Sequence, residues 1–307
     1  MTYSKTCGPA DYFPGPAKRS REANIETGFF DQTAVQSALI PAALGFVLTG
    51  AIRLANGRAR GPYVAGAAVA LSFAAVYFLI VGIPPHPPVS GMDKLVYGVA
   101  GGVALGFCLD LLRLPPFFRW LLFPVGGAAL LYWLELPGVE DASAMALAGL
   151  GALWLAGIAA LWRLEAEREA GLNPTVKLMI AALGLAAVAM LGGATDIAHL
   201  AVALATALSG FALWNWPTNV FPYGAALLMG AGGTLFLLAW IAALHHAAVS
   251  LPALAILILV FFADLAARHM HLGDSRAARA AAPIILAAVC CVPVLGAVAL
   301  AYFLAAA

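Results

Sequence analysis

The stretch from Val176 to Trp216, VKLMIAALGLAAVAMLGGATDIAHLAVALATALSGFALWNW, decides the fold. It is apolar on all sides and lacks the strict alternation of a barrel strand. More than 40 residues in one helix would measure over about 60 Å at 1.5 Å per residue. That is twice the roughly 30 Å hydrocarbon layer of a bilayer. The only turn signal inside it is Gly192-Gly193-Ala194-Thr195-Asp196. The stretch therefore predicts two membrane helices, 176–193 and 197–216, joined by a tight hairpin, with Asp196 placed to cap the second.

Working outward, comparable segments occupy 36–54, 63–83, 95–114, 120–137, 143–162, 220–244, 251–267 and 282–304. Each is close to the 20 or so apolar residues that a crossing requires. The chain reads as an all-α polytopic membrane protein with about ten transmembrane helices. A polar tail, 1–35, precedes one transmembrane domain, 36–307. No apolar run in the tail is long enough for a signal-peptide core, so the tail is expected to be retained. Composition agrees: of 307 residues, 63% are hydrophobic and only 10% charged, and mean hydropathy is +0.94. An ordinary soluble chain carries about a quarter charged residues. A net charge of +1 gives no basic excess for nucleic acid. The four cysteines show no zinc or disulfide spacing.

Loop charge sets the orientation, because cytoplasmic loops are enriched in Lys and Arg. The loops after odd-numbered segments hold Arg53, Arg58, Arg60, Arg113, Arg119, Arg163, Arg168, Lys177, Arg268, Arg276 and Arg279. Those after even-numbered segments hold only Lys94. This places the odd loops in the cytoplasm and both termini on the extracytoplasmic side.

An ionisable group within the hydrocarbon layer costs about 2.5–3.5 kcal/mol on insertion scales, so each one needs a reason. Asp110 and Asp264 lie near the cytoplasmic ends of the third and ninth segments. Local pairing with Arg113 and with Arg268 is the plain explanation. The functional explanation is a cytoplasmic-face site for a metal or a phosphate, with His269 or His271 beside it. Glu165, Glu167 and Glu169 follow the fifth segment and would reach that site only if their loop folds back. The glycine run between Gly98 and Gly106 permits close helix approach.

Three local patterns carry a family resemblance. Gly106-Phe107-Cys108-Leu109-Asp110 continues through Arg113 to Arg119. Phe211-Ala212-Leu213-Trp214-Asn215-Trp216-Pro217 leads to Phe221. Pro252 to Asp264 is followed by Arg268-His269-Met270-His271. In order and membrane face these resemble the polyprenyl-phosphate sugar-1-phosphate transferases, the superfamily that includes the phospho-MurNAc-pentapeptide transferase. The ten-span plan is similar too. The resemblance implies a bacterial inner-membrane protein of cell-envelope synthesis that binds polyprenyl phosphate and a nucleotide sugar. It implies Asp110 and Asp264 as catalytic magnesium ligands, and Asn215, Arg268, His269 and His271 as substrate-binding residues. Leu109-Asp110 stands where the family has paired aspartates, and no carboxylate follows Phe221 where the family has one. A degenerate, non-catalytic relative is therefore the leading expectation, with Mg2+ as cofactor only if the site is active. The alternative is a small-solute transporter or an accessory subunit of a membrane complex.

Overall fold

The computed structural model describes residues 16–55, 64–112, 116–135, 144–217, 220–246, 248–267 and 276–306. Every regular element among the described residues is helical. In chain order α1 spans Pro16–Ala55, α2 Ala67–Ile80, α3 Gly91–Leu112 and α4 Pro116–Glu135. α5 spans Ala144–Ala166, α6 Asn173–Leu191 and α7 Thr195–Trp214. α8, Ala225–His245, holds a π-helical stretch at Leu228–Gly232. α9 is α-helical over Leu251–Leu257, 3-10 over Ile258–Phe262 and α-helical again over Ala263–Ala267. α10 spans Arg276–Ala306.

A helix therefore occupies each of the ten apolar segments. Seven are long and apolar enough to cross a membrane: α1 from Gln36, α3, α5, α6, α7, α8 and α10. Three apolar helices are shorter: Ala67–Ile80, Trp120–Leu134 and Leu251–Ala266. The chain is a multi-pass helical membrane protein. This class follows from backbone chemistry, since in lipid a helix satisfies its own N–H and C=O groups.

The helix ends show where the sequence acted. α6 stops at Leu191, and Gly193 takes a left-handed φ of +72° that a side chain would resist. Ala194 N–H then donates back to Ala189 O at 2.8 Å, closing the turn. α7 starts at Thr195 with Ala194 in the cap position and no side-chain cap bond, so Asp196 does not cap it as expected. Asp196 instead lies in the first turn, where an acidic group meets the positive end of the helix dipole. α2 ends at Ile80, short of the expected 83, because Gly82 at φ +92° breaks it ahead of Pro84 and Pro85. α3 starts earlier than the expected 95. Ser90 N–H donates to Asp93 Oδ2 at 2.9 Å, and Asp93 N–H donates to Ser90 Oγ at 3.1 Å, a reciprocal capping box. α1 begins at Pro16, so helix runs back into the polar tail.

α6, α7 and α8 form the centre, with 72%, 61% and 67% of their apolar windows buried. α1, α3, α5 and α10 lie outside them, with 22–33% buried. α1 packs along α7, α10 along α6, and α3 against the start of α8. Lipid tails are as apolar as leucine, so close van der Waals approach is what holds such helices together. A Cβ on Gly210 of α7 would fall 2.3 Å from Ala42 O of α1, and one on Gly45 would fall 2.5 Å from Ala207 O. Thr206 Oγ1 donates to Ser37 O at 3.2 Å and Trp214 Nε1 donates to Phe46 O at 2.9 Å, pinning the register of the pair.

Candidate functional site

The ends of α3, α5, α7 and α9 and the starts of α6 and α8 share one end of the bundle. Loop charge predicts this end to be cytoplasmic. Its centre is Lys177, in the first turns of α6 and fully buried. The Lys177 ammonium donates to Glu167 Oε2 at 2.7 Å and Oε1 at 2.9 Å, to Asp264 Oδ1 at 2.6 Å, and to the Phe261 carbonyl at 3.0 Å. Its three protons are thus fully used. Phe261 belongs to the 3-10 stretch of α9, so this carbonyl comes from the irregular part of that helix. Cys290 Sγ of α10 approaches the neighbouring Val260 carbonyl at 3.8 Å.

Arg163 of α5 bonds to Asp264 Oδ2 through Nη2, and its Nε lies 3.0 Å from Glu167 Oε1. Arg168 pairs with Glu165 at 3.3 Å. Arg163, Lys177, Glu167 and Asp264 thus form a network of two acids and two bases, and Arg168 and Glu165 make a further balanced pair on the same segment. Desolvating such charges costs several kcal/mol per ion, and mutual attraction offsets the cost only when the hydrogen bonds are complete. Burial pushes the Glu167 carboxyl above its ordinary range, against the pull of the Lys177 hydrogen bonds. Tyr223, in the connection between α7 and α8, is buried, and its hydroxyl has no hydrogen-bond partner among the described residues. Burial raises its pKa, and the nearby Glu165 and Glu167 charges raise it further.

This cluster corrects two expectations. Lys177 is not a solvated cytoplasmic loop charge but a buried tie between three chain segments. Glu165 and Glu167 are not in a loose loop but buried against the bundle. Lys94 changes role as well. Nearly buried, it donates to the Trp133 and Leu134 carbonyls at 2.9 and 3.2 Å, neutralising the C-terminal end of α4.

Of the residues singled out from the sequence, Asp264 lies inside the cluster. Asp110 sits at the end of α3, where Oδ2 accepts from Ala226 N–H at 3.0 Å in the first turn of α8. Asn215 is buried at the end of α7, and Oδ1 accepts from Val220 N–H at 3.0 Å and Phe221 N–H at 2.7 Å. Asp110 and Asp264 thus have separate partners. The 220–224 connection runs between them, with Asn215 holding its start and Tyr223 lying beside Glu165 and Glu167. Arg268, His269 and His271, and Arg113, lie outside the described residues.

Magnesium prefers octahedral oxygen ligation by carboxylates that are free to coordinate. Here both Asp264 oxygens face cations and one Asp110 oxygen holds a backbone N–H. Among the described residues no group of three His, Cys, Asp or Glu side chains is arranged to hold a metal. Among the described residues, this donor set does not fit a magnesium centre.

Asn215 gives a direct test of the connection. Asn215→Ala orphans two backbone N–H groups and is expected to destabilise the protein by about 1–3 kcal/mol. Limited proteolysis in detergent should show new cleavage between Asn215 and Gly224, and an unchanged digest would contradict the staple. In comparisons with known proteins, the chain matches no protein-family model, and no curated protein matches it significantly.

Proposed function

We propose that the protein is a ten-span inner-membrane protein, both termini extracytoplasmic, whose cytoplasmic end binds a lipid phosphate of the polyprenyl-phosphate type. A nucleotide sugar would approach the same face, and no magnesium-dependent transfer would follow. What supports this reading is the meeting of three sequence-distant segments at one end: the tip of α3 at Asp110, the α7–α8 connection held by Asn215, and the tip of α9 at Asp264. The binding groups would be Arg268, His269 and His271, which follow Asp264 in the chain, while Asp110 and Asn215 shape the wall. The internal neutralisation of Asp264 by Lys177 and Arg163 favours binding over turnover.

The test joins two measurements on detergent-purified protein. Native mass spectrometry should show retained undecaprenyl phosphate, weakened about tenfold by Arg268→Ala. Incubation with nucleotide sugars and magnesium should release no nucleoside monophosphate. Absence of lipid retention would overturn the binding reading. Release that disappears in Asp110→Asn would overturn the non-catalytic reading and make the protein a transferase.

A second reading, a small-solute transporter, is favoured by the π-helical stretch in α8 and the 3-10 stretch in α9. Interrupted helices of this kind line substrate paths in many transporters. Substrate-dependent flux in proteoliposomes is the measurement that would select it.

A further inference from the structure

An apolar groove of about 640 Å³ runs between α2 and α3 and ends beside the last turn of α1. α2 lines it from Ala67 to Phe78 and α3 from Val96 to Cys108, each at the three- and four-residue steps of a single helix face. At 1.5 Å per residue these walls are roughly 16–18 Å long, room for one extended acyl chain. Phe78, Ala100, Ala104 and Cys108 are exposed, so the groove opens sideways to the bilayer. The medium it faces is hydrocarbon, and a lipid chain is as apolar as the walls.

The charge at the α1 end sets this groove apart from other lipid-facing hollows. Ile52 lines the groove and Arg53 follows it in the chain. Among the described residues, the Lys94, Arg163, Arg168 and Lys177 side chains all bond to protein oxygens. Arg53 does not: it is exposed, and the described contact of its guanidinium is the Phe221 ring, 5.4 Å away at the centroid. A ring face attracts the charge without using up the N–H donors of the fork. Phe221 is itself fixed, because its N–H donates to Asn215 Oδ1 at 2.7 Å. The same connection reaches the α3 tip, where Ala226 N–H donates to Asp110 Oδ2. The guanidinium and the Cys108 end of the groove therefore border one connection. Residues 53–66, which join α1 to α2, contain three arginines and no acid.

We infer that this groove binds an anionic glycerophospholipid, with one acyl chain between α2 and α3 and the phosphate on Arg53. A guanidinium meets a phosphodiester through paired N–H···O bonds, whereas a zwitterionic headgroup brings its own cation to the same phosphate. Basic pockets between membrane helices recognise anionic headgroups in this way. The site is independent of the polyprenyl-phosphate reading, whose binding groups follow α9.

Native mass spectrometry of the detergent-purified protein, titrated with phosphatidylglycerol or with phosphatidylcholine of the same acyl chains, tests this. Phosphatidylglycerol should bind at least about fivefold tighter. Arg53→Gln should remove most of that preference and leave phosphatidylcholine unchanged, while Arg53→Lys should keep part of it. Ala100→Phe and Ala104→Phe should fill the groove and weaken both lipids with the melting temperature retained, because both positions are exposed. Arg268→Ala, which weakens undecaprenyl phosphate, should leave the preference intact. Equal binding of the two lipids, an undiminished preference in Arg53→Gln, or full binding in both well-folded phenylalanine variants would each overturn the proposal. Displacement of phosphatidylglycerol by undecaprenyl phosphate in the parent but not in Arg53→Gln would overturn it too, by assigning the groove to the other lipid.

Discussion

Lys177→Met is expected to destabilise the protein by about 3–5 kcal/mol, the usual cost of stranding buried charges by removing their partner. Lys177 is fully buried and is shared by Glu167 and Asp264. Methionine matches its length and apolarity but leaves both carboxylates facing each other, with Arg163 as their shared cation. The loss should therefore exceed that of an exposed ion pair, which is worth about 0–1 kcal/mol. Combining Lys177→Met with Glu167→Gln and Asp264→Asn should recover part of the stability, because neutral groups no longer need a counter-charge. Melting curves of purified protein in a mild detergent provide the readout. A single variant as stable as the parent would mean that the cluster is hydrated and that its burial does not matter energetically.

Gly210→Leu is expected to separate α1 from α7. Even the Cβ of Gly210→Ala would fall 2.3 Å from Ala42 O and 2.7 Å from Phe46 N, both backbone atoms that no rotamer change can move. Alanine should cost about 1–3 kcal/mol, the range for overpacking a tight contact, and leucine more. Because Thr206 and Trp214 both donate to α1 carbonyls, separation should break these bonds as well. Cysteine crosslinking between α1 and α7, efficient in the parent, should fall sharply in Gly210→Leu. Gly101→Ala is the control: its Cβ meets open space, and helix propensity alone favours alanine over glycine by up to about 1 kcal/mol. Equal effects of the two alanine substitutions would contradict the packing shown by the structure.

These two glycines illustrate how far local reading goes. The run between Gly98 and Gly106 signals close approach somewhere, and Gly102 and Gly106 do lie against the α8 backbone, 2.7 Å from Met229 O and 2.4 Å from Ala225 O at their virtual Cβ positions. Gly98, Gly102 and Gly106 recur every four residues and so share a helix face. Gly101 is one residue out of step, turns to a neighbouring face, and borders an open apolar cleft between α3, α4, α5 and α8 instead. Spacing separates the faces, but which face meets a helix and which meets a gap depends on where α4 and α5 stand.

The same limit applies to charge. The position of Lys177 at a segment start reads as one more cytoplasmic loop base, and Glu167 as one more solvated acid. Asp264 invites pairing with Arg268, four residues on. Arg268 lies outside the described residues, and the described partners of Asp264 include Lys177 and Arg163, both far away in the chain. Tyr223 carries no sequence signal at all; its buried hydroxyl matters only because the α7–α8 connection folds beneath Glu165 and Glu167.

Sequence alone determined the helical class, the ten apolar segments and the hairpin at Gly193, since each follows from local chemistry. Apolar length must match the bilayer, the backbone must satisfy itself in lipid, and a left-handed turn favours glycine. Tertiary structure alone decided which charges are buried together, which glycines touch a neighbouring helix, and which border an open apolar cleft. Those outcomes depend on distances between segments far apart in the chain, and no local spacing encodes a distance across the bundle.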